Sequence, residues 1–255
     1  MSGDAIEKVN ATAVFTFGRF QPPTIGHKVL IDSLASAAEE NGADAYVFVS
    51  SRCNDLPKYT KSKKYKNMME SNTFETCDAN ENPLSVYQKV HWLQKMHADS
   101  GVKIINTTEH DCRTIFQVAD KLRAVGYTSL ILLVGSDRVP TFSKMFDKSN
   151  NVSVLPAGAK RNTSNAPSGM SGTKMRHAAV RGEFEAFKRG VMIGSMTVAD
   201  AKELMNQVRA GLGYKAVGGG KGTRKMHKTR GQTRKHKIRI CEKSKGSWRP
   251  GPDGC

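Results

Sequence analysis

The chain is expected to fold as an α/β protein on a doubly wound parallel sheet. Short runs rich in Val, Ile and Phe alternate with stretches whose apolar residues recur at helical spacing. Strand, helix and strand succeed one another within residues 13–49, the pattern of a βαβ unit, and such crossovers imply parallel pairing. The run Leu130-Ile131-Leu132-Leu133-Val134 is apolar at every position, as a strand covered on both faces should be.

Taken in order, residues 13–17 (Ala-Val-Phe-Thr-Phe) read as a short buried strand. Past Pro22-Pro23, the residues Val29, Leu30, Leu34, Ala37 and Ala38 mark a helix that Asn41-Gly42 should stop. Residues 45–49 form the next strand. Residues 56–81 break the rhythm with a Lys-rich run and two acidic clusters, and read as an excursion from the core. After Asn82-Pro83, Val86, Val90, Leu93 and Met96 form a helical stripe. Strands are expected at 102–105, 130–134 and 152–155, with helices at 115–125, 175–187 and 198–208. No internal repeat is evident.

Charge separates body from tail. The 255 residues carry 40 Lys and Arg against 23 Asp and Glu, a formal +17. Residues 215–255 hold 13 basic and 2 acidic residues, which is +11 of that total. Gly218-Gly219-Gly220 reads as a joint. The residues beyond it include too few apolar side chains to offset their ordering entropy, so disorder is expected there. The expected division is an N-terminal extension at 1–11, an α/β body at 12–213 and a basic tail at 214–255. Five scattered cysteines without a C-x-x-C pair suggest reduced thiols and an intracellular, cytoplasmic setting. His227, His236, Cys241 and Cys255 match no common zinc-finger spacing. No signal peptide or membrane span is expected. The compact body suits a virus or phage as well as a cell.

Two motifs carry the chemistry. Gly18-Arg19-Phe20-Gln21-Pro22-Pro23-Thr24-Ile25-Gly26-His27 lies off the end of the first strand, where open parallel sheets bind ligands. Ser171-Gly172-Thr173-Lys174-Met175-Arg176 opens a helical pattern far downstream. Each puts small residues, a hydroxyl and a cation at a helix N-terminus, where backbone N–H groups and the helix dipole favour phosphate. Each alone also fits an ordinary turn or capped helix, since Ser171 and Thr173 are good caps.

The first motif resembles the signature of the HIGH-motif nucleotidyltransferases, the cytidylyltransferase-like superfamily, with Thr24-Ile25-Gly26-His27 standing for His/Thr-x-Gly-His. The Gly18–Pro22 lead-in is similar to nicotinamide mononucleotide adenylyltransferases of the archaeal type. Thr24 resembles pantetheine-phosphate adenylyltransferases instead. The second motif resembles the family's Ser/Thr-rich motif ending in Arg, with Gly172 where a second Ser is usual. The resemblance spans about residues 13–191 and implies a Rossmann-like nucleotidyltransferase fold. It implies that His27, Thr24 and Arg176 are catalytic. It implies that Gly18, Arg19, Phe20, Gly26, Ser171, Gly172 and Thr173 bind nucleotide. Gly135 and Asp137 match the family's Gly-x-Asp beside the base and ribose. Asn82-Pro83-Leu84 resembles a further element, with Lys89 as an acceptor-phosphate contact.

The reaction so implied is transfer of a nucleoside monophosphate, AMP from ATP before CMP from CTP, with Mg²⁺ accompanying ATP and pyrophosphate leaving. The acceptor is a small phosphate-bearing compound such as nicotinamide mononucleotide. A second reading is a catalytically degenerate body with a tail that binds nucleic acid through Arg224, Lys225, Arg230, Arg234, Lys235, Lys237 and Arg239. Class I aminoacyl-tRNA synthetases share the fold and similar motifs, but no anticodon-binding or editing domain is evident.

Overall fold

The structure, a computed structural model, describes residues 6, 8–51, 82–146, 151–157 and 170–217. The expected excursion at 56–81 and the tail beyond 217 lie outside the described residues.

The strands are β1 (Thr12–Gly18), β2 (Asp44–Val49), β3 (Lys103–Asn106), β4 (Ser129–Gly135) and β5 (Val152–Ala157). The described helices are α1 (Ile25–Glu40), α2 (Val86–Met96), α3 (Ile115–Val125), α4 (Val139–Met145), α5 (Gly172–Arg181), α6 (Phe184–Val191) and α7 (Val198–Gly211). The five strands make one sheet in the order β3-β2-β1-β4-β5, parallel throughout. This is the doubly wound Rossmann-like arrangement, and the strand order reverses between β1 and β4.

Alternation along the strands sends side chains to both faces. Val14 and Val47 pack with Ile31 and Leu34 of α1 and Leu93 of α2. Phe15, Phe48 and Leu132 face the other way, onto Val118 and Leu122 of α3 and Phe146 beyond α4. A third apolar cluster lies outside the sheet, where α5, α6 and α7 close on Leu84, Trp92 and Met96. Fully burying each such Leu or Phe is worth about 1.5–3 kcal/mol.

Two details differ from expectation. The single helix expected at 175–187 is two, because α5 starts at Gly172 and stops at Gly182. Gly182 takes φ +75, a left-handed cap whose N–H reaches Ala178 O and Ala179 O. Helix α4, with Pro140 in its first turn, has no counterpart among the expected elements.

The registers open the site. β1 pairs with β4 from Thr12–Ser129 to Phe15–Leu132, and the pairing ends there. Thr16–Gly18 and the last residues of β4 then part, which opens a crevice at the carboxyl ends of the two central strands. Among the described residues no helix is long and apolar enough to cross a membrane.

Candidate functional site

That crevice is a cleft of about 510 Å³. Its walls come from the β1–α1 loop, Ser50 and Ser51 after β2, the start of α3, the β4–α4 turn and the start of α5. Four arginines (Arg19, Arg113, Arg138, Arg176) are among the described lining residues, and no Asp or Glu is. The first turns of α1, α3 and α5 add backbone N–H groups of the same polarity. Such a surface attracts polyanions. Phe17, Phe116, Phe142 and Met145 give it an apolar side that suits a flat ring.

The first motif is held under strain. Phe20 takes φ +51, a left-handed conformation that costs a non-glycine residue on the order of 1 kcal/mol. Its ring is 1% exposed and lies over Gly18, where an added Cβ would meet ring carbon at 2.9 Å. The same ring packs against the His27 imidazole at 4.9 Å between centroids. His27 stands in the first turn of α1, and its Nδ1 accepts the Thr24 backbone N–H at 3.0 Å. An Nδ1 that accepts leaves the proton of the neutral ring on Nε2. The fully buried Thr24 donates its hydroxyl to Met170 O at 2.9 Å.

The second motif locks onto the first. Ser171 caps α5 by accepting the Lys174 N–H at 3.3 Å. Arg176 donates from Nη1 to Gln21 O at 2.7 Å and from Nη2 to Thr173 Oγ1 at 3.2 Å. Two glycines allow this approach. A Cβ on Gly26 would stand 2.5 Å from Met170 O, and one on Gly172 would stand 2.5 Å from Gln21 O. Two segments 146 residues apart thus meet main chain to main chain, with Thr24 and Arg176 as cross-links.

The structure brings Gly18, Arg19, Phe20, Thr24, Gly26, His27, Gly135, Ser171, Gly172, Thr173 and Arg176 to this one cleft. Asp137 is exposed and does not line it. A turn closed by the Arg138 N–H to Gly135 O at 2.8 Å leaves Ser136 and Arg138 on the cleft wall instead. Lys89 does not line it either. It is 1% exposed inside α2, and its Nζ donates to the carbonyl of Ser50, so it reaches the end of β2 from behind. Sequence reasoning missed Ser50, Arg113, Arg138 and Phe116, and it gave Gln21 of the first motif no role of its own.

No protein-family model matches the chain, and no curated protein matches it. Two solved structures are similar in fold. One is a Vibrio parahaemolyticus protein assigned as a nicotinate-nucleotide adenylyltransferase. It has 16% identity and a TM-score of 0.45, over 76% of this chain and 99% of that one. The other is a bifunctional NMN adenylyltransferase/ADP ribose pyrophosphatase from Francisella tularensis. It has 15% identity and a TM-score of 0.42, over 77% of this chain and 50% of that one. At these identities the likeness is one of fold alone.

Proposed function

We propose that this cleft transfers a nucleoside monophosphate, AMP from ATP, to a small phosphate-bearing acceptor such as nicotinamide mononucleotide. The observation that carries the reading is the junction of the two motifs. Three helix N-termini, four arginines and His27 surround one cleft without a carboxylate among its described lining residues.

In this reading an oxygen of the acceptor phosphate forms a bond to the α-phosphorus. The bond from that phosphorus to the β-phosphate bridging oxygen breaks, and its electron pair leaves with pyrophosphate. A phosphate monoester is already ionised at neutral pH, so no protein nucleophile or strong base is needed. The barrier falls through positioning and through stabilising charge in the transition state. His27 donates from Nε2 to an α-phosphate oxygen, and Thr24 holds the start of α1 against Met170. Ser171 and Thr173 bind the β- and γ-phosphates, and Gly172 leaves backbone N–H groups accessible. Arg176 holds the departing pyrophosphate with its planar fork. Gly18, Gly26 and Gly135 let the nucleotide approach the main chain, and Arg19 and Phe20 form the floor beneath it. Arg113 faces the site from the α3 side and suits the acceptor phosphate, with Phe116 and Phe142 beside its ring.

The cationic and hydroxyl donors of the cleft grip phosphate oxygens rather than a bare metal ion. A Mg²⁺ ion would enter here as a companion of the triphosphate and would supply neutralisation of phosphate charge.

His27→Ala tests the reading. Pyrophosphate release from ATP, measured with nicotinamide mononucleotide, phosphopantetheine, flavin mononucleotide and glycerol phosphate, should fall about 10²–10³-fold in kcat. Wild-type turnover in that variant would remove His27 from the mechanism. A wild-type protein inactive with every acceptor, and with CTP in place of ATP, would overturn the activity.

A further inference from the structure

Gln21 belongs to the first motif, in the β1–α1 loop, where the function proposed above gives it no role, yet it is only 3% exposed. Its side-chain amide pairs twice with the backbone of Leu84. Nε2 donates to Leu84 O at 2.8 Å, and Oε1 accepts the Leu84 N–H at 3.0 Å. Two bonds of that kind fix both the position and the plane of the amide. The main-chain carbonyl of the same residue accepts Arg176 Nη1 at 2.7 Å. Leu84 is fully buried in the cluster that also holds Met175, the neighbour of Arg176. The amide therefore references Gln21 to the packed unit that carries the arginine.

We propose that Gln21 is a positioning residue for nucleotidyl transfer, clamped on Leu84 through its amide so that its carbonyl aims the Arg176 guanidinium at the departing pyrophosphate. The proposal rests on the function proposed above. An arginine left to its rotamers must be ordered when ligand arrives, and that entropy weakens binding. A carbonyl held in advance removes that cost, and the second bond, to Thr173 Oγ1, fixes the remaining rotation. Gly172 belongs to the same device, since only a residue without Cβ leaves room for the Gln21 carbonyl.

The test is pyrophosphate binding by calorimetry to wild type, Gln21→Glu, Arg176→Lys and the double variant. Glutamate keeps an acceptor for the Leu84 N–H but sets a carboxylate oxygen against Leu84 O. Gln21→Glu should weaken pyrophosphate about tenfold and leave the acceptor KM unchanged. With Arg176→Lys already present, it should add less than about twofold, because residues acting through one another are not additive. Full multiplication of the two effects, or no effect of Gln21→Glu alone, overturns the proposal and leaves the proposed reaction standing. A wild type that binds no pyrophosphate overturns the reaction and the positioning role together. Should Gln21→Glu fail to fold, the wild type decides by nitrogen NMR of the guanidinium, assigned with Arg176→Lys. Slowly exchanging Nη signals without ligand support a held Arg176, and averaged signals overturn it.

Discussion

Gly26 and Gly172 are glycines for reasons of space. Gly26 faces the Met170 carbonyl, just before the second motif, and Gly172 the Gln21 carbonyl of the first, each 2.5 Å from where its Cβ would stand, and neither oxygen is the end of a flexible side chain. This explains the departure at 172, where the resembling motif has a serine. A serine there would push away the Gln21 carbonyl and with it the acceptor of the Arg176 bond. Gly172→Ser should therefore cost about 1–3 kcal/mol of stability and raise the KM for ATP. Thermal unfolding and pyrophosphate release measure the two effects, and an unchanged KM would separate the glycine from the site. The residues legible in the sequence were those whose chemistry is local, namely Thr24, Gly26, His27, Ser171 and Arg176 at helix starts. Gln21, Ser50 and Arg138 were not legible. Their contacts reach Leu84, Lys89 and the turn at Gly135, partners that no spacing rule connects.

At the scale of elements, strand positions followed from apolar runs, and each strand extends one or two residues beyond its run or shifts by one. Helix α3 falls where its stripe and its Thr114–Gln117 capping box put it. The break at Gly182 was hidden because the apolar spacing continues through it, and the left-handed φ only shows in three dimensions. One contact between helices has a pH signature. His97 caps the C-terminus of α2, is 7% exposed, and its Nε2 is buried without a hydrogen-bond partner. Burial pushes its pKa down from 6.5 to about 4, against Asp32 of α1, which raises it, while Lys28 lowers it further. Between pH 6.5 and 4 the unfolded chain binds a proton here that the folded chain refuses. Stability contributed by the neutral ring is complete above 6.5 and falls as pH drops towards 4, by a loss on the order of 3 kcal/mol. Melting temperatures of wild type and His97→Gln should converge as pH falls from 7 to 4.5. Parallel curves would show that the ring is protonated in the fold.

At the scale of the molecule, charge gathers in two places. The cleft gathers four arginines at the parting of β1 and β4, while most of the formal +17 belongs to residues 215–255. Residues 214–217 pack on the body. Tyr214 N–H reaches Arg209 O at 2.8 Å, and its ring lies 5.7 Å from the Arg209 guanidinium. Val217 N–H reaches Asn206 Oδ1 at 2.8 Å. The buried Arg209 in turn donates to the carbonyls of Ala179 and Val180 near the C-terminus of α5, the helix that carries Arg176. A cut after Gly213 would thus remove Tyr214 and Val217 and disturb the support of the helix that carries Arg176. Truncation after Val217 should leave pyrophosphate release from ATP and the melting temperature unchanged. Any binding to duplex DNA at low salt should vanish with the tail, and the full chain should lose affinity with salt at a log–log slope of about 0.9 per phosphate contacted. Turnover lost with the tail would mean that the body does not hold the whole site. Nucleic-acid binding retained by the truncated body would instead place it on the cleft arginines, where it should compete with ATP.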